Sequence, residues 1–193
     1  MQSELIGAIY DAPLAARPWV ELSGRLRRAL DCSGTMFKFA RAHARDGRTR
    51  FVYDAAWDSR ESWPLYDSVY RYLDPTCHRP MALGAVYDFD QMIPPTRGPE
   101  GQRYLRFCRS IGATHALFAF LGEYRGVGAW LSLSRDAARG DFDNRETAAI
   151  ADLLPHLARA ADIHARLEAE RNAAAIHAAA LADLGVGAIL LDG

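Results

Sequence analysis

The chain has 193 residues, half of them hydrophobic and 24% charged, and its formal net charge is −1. This composition supports one packed domain plus an appendage, and it excludes a disordered chain or a polycationic nucleic-acid or membrane binder. Three scattered cysteines exclude a disulfide framework; no apolar run reaches the roughly 18 residues of a membrane span, and the first residues lack a signal peptide's basic and apolar regions, so a cytoplasmic protein is expected.

In chain order, Arg17 to Leu30 reads as an amphipathic helix, with Pro18 in the first turn and Trp19, Leu22, Leu26 and Leu30 on one face. "GTMFKFAR" alternates and reads as a strand; "DGRT" supplies a turn, and "RFVYDAAW" is a second strand. The loop between them gathers Arg41, Arg45, Arg48 and Arg50, which without interleaved aromatics reads as a solvated hairpin rather than a nucleic-acid contact. "SWPLYDSVYRYL" is a short helix closed by Asp74-Pro75. "ALGAVYDF" is a possible third strand, and "PEGQRYLRFCRSIG" a helix that stops at Gly112.

"THALFAFLGEY" and "GVGAWLSLSR" form the strongest hairpin in the sequence. A final helix begins near Asp143, where "DNRE" places an Asp cap three residues before Glu146. Ile150, Leu153, Leu157, Ala160, Ile163 and Leu167 make its apolar stripe. If continuous to Leu184, this helix is about 60 Å long and must project beyond a small domain. Pro155 inside it is expected to kink or divide it. The order predicts an α+β fold, an antiparallel sheet flanked by helices as in GAF or PAS sensor domains, with a long C-terminal connector helix. The expected division is a sensor domain over 1–142, a signalling and dimerisation helix over 143–184, and a strand over 185–193 that opens a second, PAS-like module.

Catalytic signals are sparse. GxSxG, HExxH, CxxC and glycine-rich phosphate loops are all missing from the sequence. His156 and His164 are eight residues apart, about 80° around a helix, which suits no shared metal. No metal or cofactor and no enzymatic activity are therefore expected; a cysteine enzyme using Cys77 or Cys108 with His78 or His115 is the remote alternative. The aromatic residues are more informative. Trp57, Trp63, Tyr66, Tyr70 and Tyr72 crowd one segment, and Phe118, Phe120 and Trp130 lie on the later strands. Such a set lines a core more often than a pocket. Asp74, a carboxylate directly after an aromatic helix, favours a pocket if it is buried and a simple turn cap if it is not.

"SWPLYDSVYRYLDPTC" resembles the W…Y…Y…DP block in the autoinducer-binding domains of LuxR-type transcriptional regulators. The resemblance implies that Trp63 donates to a lactone carbonyl, Tyr66 contacts an acyl carbonyl and Asp74 accepts from a ligand amide. Where the family carries a further pocket tryptophan, this chain has Tyr87 and Phe89. "LIGAIYDAPL", "FDNRETAAIADLLPHLARA" and "LADLGVGAILLDG", in that order, are similar to bacterial LuxR-family regulators with a GAF-like N-terminal half, a PAS-like segment and a helix-turn-helix domain downstream.

The implied protein is a homodimeric sensor for an unknown small-molecule effector that reaches DNA only through that downstream domain. Its expected ligand residues are Trp63, Tyr66, Tyr70, Asp74, Tyr87, Phe89, Phe118, Phe120 and Trp130. Its expected dimer residues are Leu157, Ile163, Leu167, Ile176 and Leu181. A ligand-free dimerisation scaffold is the alternative.

Overall fold

The computed structural model describes residues 2–41, 49–55, 62–77, 79–93 and 98–183. Trp57, His78, Arg45, Arg48 and the expected strand over 185–193 lie outside the described residues, as do the side chains of Trp63, Arg41, Arg50 and Leu181.

Five strands form one antiparallel sheet: β1 (Gly34–Arg41), β2 (Thr49–Ala55), β3 (Val86–Asp88), β4 (His115–Tyr124) and β5 (Val127–Arg135), in the order β2-β1-β5-β4-β3. The β4–β5 turn is two residues, Arg125 and Gly126, both at positive φ, as the twist of a tight hairpin requires. Alternation along the strands splits the sheet into two faces. Phe37, Phe39, Leu117, Ala119, Leu121, Ala129, Leu131 and Leu133 point one way into the larger core, under α1 (Gln2–Asp11), α2 (Val20–Ala29) and the first half of α6 (Asn144–Asp183). Ala116 and Phe118 point the other way, into a smaller core with α3 (Ser62–Ser68), α4 (Phe89–Met92) and α5 (Gly98–Ser110).

Several elements depart from the sequence expectations; the helix expected over Ser62 to Leu73, for one, ends at Ser68 and gives way to a 3-10 turn at Tyr70–Tyr72. The N-terminal helix α1, which the sequence left unassigned, buries Leu5 and Ile9 in the larger core. Helix α2 starts at Val20 rather than Arg17, because Trp19 adopts a left-handed φ of 71° and is wholly buried, its ring within 5.3 Å of the Phe37 and Phe39 rings. The third strand shortens to Val86–Asp88, because Asp88 and Gln91 form a reciprocal capping box that turns the chain into α4.

Helix α6 opens on the same device, with Glu146 N–H donating to Asp143 and Asp143 N–H donating to Glu146. It runs undivided through Pro155. Pro155 is itself exposed, while Leu153, Leu154 and Leu157 around it are buried against the sheet; that burial offsets the proline's cost of about 3 kcal/mol. The opposite end of α6 is solvent-exposed from Arg171 through Ala180.

Candidate functional site

Strand register assembles the site. Lys38 of β1 pairs across to Trp130 of β5, which pairs to Phe120 of β4, and Leu83 bridges Phe120 at the far side. The neighbouring row is Met36, Ser132, Phe118 and Tyr87. All these residues lie on the α5 face. Met36, Ser132, Phe120, Trp130 and Tyr87 are only half-buried, whereas Phe37, Phe39, Leu131 and Leu133 on the opposite face are buried.

Above the first row sits a buried polar cluster. Asp74 follows a single turn of 3-10 helix (Tyr70–Tyr72) and precedes another (Pro75–Cys77), and it is 1% exposed. Its Oδ1 accepts from the Thr76 backbone N–H at 2.8 Å and from the Thr76 hydroxyl at 2.7 Å, an Asx-type cap of the second turn. Its Oδ2 accepts from the Tyr66 hydroxyl at 2.5 Å. The two readings of Asp74 thus hold together: it caps the next turn and is buried.

Lys38, the only lysine in the chain, supplies the counter-charge at 3.9 Å from Oδ2 and is 3% exposed. Its Nζ donates to Thr76 Oγ1 at 2.5 Å and to Cys77 Sγ at 3.4 Å, and lies 4.5 Å from the centre of the Trp130 ring. Trp130 lies flat along β5 because Gly128 leaves it room; a Cβ there would stand 2.3 Å from the ring.

Of the expected ligand residues, Asp74, Tyr66, Trp130 and Phe120 come together around Lys38. Phe89 and Phe118 meet edge to face at 5.4 Å in the smaller core, and Tyr70 stacks on Phe107 at 4.1 Å. Tyr87 turns its hydroxyl to the Ala82 N–H at 2.9 Å. Tyr66, expected to face a ligand carbonyl, donates to Asp74 instead. Sequence reasoning missed Lys38 and Thr76; the available signal was a lone lysine between Phe37 and Phe39 in β1. Of the expected dimer residues, Leu157 is wholly buried in its own chain's core and offers a partner no surface. Ile163 and Leu167 are half-buried, and Ile176 is 67% exposed.

The electrostatics oppose a thiol nucleophile. Cys77 is exposed, yet partial desolvation and then the Asp74 charge push its thiol above the ordinary value against the pull of Lys38, and full burial does the same to Cys108. Burial first and Asp74 second push the Tyr66 hydroxyl up, so it stays a donor at neutral pH. Among the described residues no cluster of three His, Cys, Asp or Glu could hold a metal ion, and no helix is long and apolar enough to cross a membrane.

No family model matches the sequence, and no curated protein matches it significantly. Solved structures do match. One is the N-acylhomoserine-lactone-dependent LuxR family transcription factor CepR2 from Burkholderia cenocepacia, at a TM-score of 0.58 and 16% identity over 86% of this chain and 95% of that one. The chain shares this fold. Escherichia coli SdiA superposes at 0.58 and 14% identity over 86% of this chain and 67% of SdiA. A GAF domain of a phosphoenolpyruvate-protein phosphotransferase from Coxiella burnetii superposes at 0.50 and 14% identity, over 88% of this chain and 96% of that one. Within this shared fold, Lys38, Asp74 and Trp130 sit on the α5 face of the sheet.

Proposed function

We propose that this chain is the sensor and dimerisation region of a cytoplasmic LuxR-family transcriptional regulator. A small molecule binds on the α5 face of the sheet, over Trp130 and Phe120 and against the Lys38–Asp74–Tyr66–Thr76 cluster. The 1–142 unit holds the ligand, and α6 carries its effect to a partner protomer and on to a DNA-binding domain. The observation that carries this reading is the contrast within one face: a fully buried charged cluster beside half-buried aromatics. Buried charge costs several kcal/mol unless paired, so a fold that keeps it beside uncovered aromatic surface gains something other than stability.

The relay follows from the path of α6. Its first half packs on the sheet, and it then passes a cavity of about 330 Å³ lined by Phe39, Val127, Ala161 and Ala165 before entering solvent. A ligand shifts α6 only by binding one seating of the helix better than the other. Ile176 and its exposed neighbours pair across a two-fold axis in the dimer.

Native mass spectrometry and thermal-shift assays with N-acyl homoserine lactones and small aromatic metabolites test the reading. The expected result is one ligand per protomer and a raised Tm, both lost in Trp130→Ala; light scattering is expected to give a dimer at micromolar concentration. No adduct across the panel, with a monomer in solution, would sink it. One observation favours the second reading, a ligand-free scaffold: Asp74 is already satisfied by Tyr66 and Thr76. A dimer with no ligand from the panel is what that reading expects.

A further inference from the structure

The polar cluster sorts by hydrogen-bonding capacity. Asp74 receives three donors from its own chain, two on Oδ1 and one on Oδ2. A ligand N–H aimed at this carboxylate meets an acceptor already engaged and a lysine ammonium beside it. Lys38 is the reverse case. Its three-donor ammonium has one oxygen partner, Thr76 Oγ1, one weak sulfur acceptor, Cys77 Sγ, and the face of Trp130. Asp74 stands 3.9 Å away, close enough for charge pairing and too far for a hydrogen bond. The site therefore has donor capacity to offer a ligand and little acceptor capacity. Among the described residues its basic group is Lys38, a buried cation over the Trp130 ring and beside Phe120.

Resting on the reading of this face as the ligand site, we propose that the ligand is a small aromatic carboxylate. Its ring lies on Trp130 and Phe120, and its carboxylate takes the unfilled donor capacity of Lys38. A carboxylate fits because it accepts and never donates. A charge-assisted bond to an ammonium is about twice as strong as a neutral one. The anion is a monoanion, since Asp74 is close by and only the one ammonium stands between the two negative groups. Asp74, held by Tyr66 and Thr76, keeps its hydrogen bonds when Lys38 turns to the ligand.

The test compares matched probes on the wild-type protein at neutral pH by thermal shift and calorimetry. These are indole-3-acetate and phenylacetate, their carboxamides and methyl esters, and N-octanoyl homoserine lactone. The acids are expected to bind at least tenfold more tightly than their amides and esters. Lys38→Met is expected to erase that preference and Lys38→Arg to retain it; if either variant fails to fold, the wild-type acid-to-amide ratio decides alone. Equal binding of acid and amide, or binding of the lactone without the acids, overturns the carboxylate and leaves the sensor reading standing. Failure of every probe to bind overturns the carboxylate and counts against the sensor reading as well.

Discussion

Among the described residues each face of the central sheet carries a charged pair with a buried member, and the two pairs are placed differently. On the α6 face the pair is Arg135 with Glu146, at the rim where β5 ends and α6 begins, in a two-pronged contact at 2.7 and 3.0 Å. Inward of it the face is mostly apolar and buried, with Thr35, Ser23 and His164 as its buried polar residues. On the α5 face the pair is Lys38 with Asp74, in the middle of the face, separated by 3.9 Å and held through Thr76. The first arrangement closes the edge of a core, where solvent makes charge cheap. The second puts charge where it costs most, and it is on this contrast that the proposed ligand site rests.

The largest expected effect tests the closed face. Leu157→Ala removes a wholly buried side chain between α6 and the sheet, and should lower the unfolding free energy by about 3 kcal/mol. Trp130→Ala truncates a larger side chain on the half-open face and should cost less than half as much while abolishing ligand binding. Urea midpoints at constant m-value measure both. If Trp130→Ala is as destabilising as Leu157→Ala, the two faces do not differ in the way described.

Next in size is the buried pair. Asp74→Asn leaves Lys38 without its counter-charge and misfits the donors Tyr66 and Thr76, and should cost about 2 kcal/mol. Adding Lys38→Met removes the stranded cation and should restore about 1 kcal/mol of it. Strict additivity of the two changes in denaturant unfolding would mean that the pair is not coupled across its 3.9 Å gap.

The ease of reading these features from sequence follows how local they are. The α6 cap needs only Asp143 and Glu146 three residues apart, and the β4–β5 hairpin only its apolar runs and Arg125-Gly126 turn. Asp74 was legible as a carboxylate at the end of an aromatic helix, and its bond to Tyr66 spans eight residues. Lys38 was not legible, because its burial depends on Thr76, 38 positions on, and on the register that sets Trp130 beside it. Within β1 alone, alternation assigns a lysine to the solvent side. Leu157 failed for a related reason: the apolar stripe of α6 marks a face to be buried and does not say against what. Trp19 marks a helix start by periodicity, yet the packing of its ring pulls its backbone into the left-handed region.

The smallest expected effect concerns the rim pair and separates the two faces by pH. Arg135 is 5% exposed and ties three segments together, donating to the backbone carbonyls of Leu30, Asp31 and Asp141 as well as to Glu146. The hydrogen bonds from Arg135 and from the Asp143 N–H hold the Glu146 carboxyl below its ordinary value. A depressed folded-state value means that the stabilisation is fully present above the unfolded value near 4.5 and is lost as pH falls through the folded one. Glu146 is 36% exposed, so solvent screening trims the gain to below about 1 kcal/mol. Glu146→Gln should therefore be slightly less stable than the wild type at pH 7, and the gap should narrow towards pH 3 as the wild-type carboxyl gains its proton and becomes neutral like the amide. Urea midpoints at the two pH values measure this. A gap that stays constant would mean that Glu146 acts at this seam by packing and capping geometry alone, and the α6 face would then owe no stability to charge.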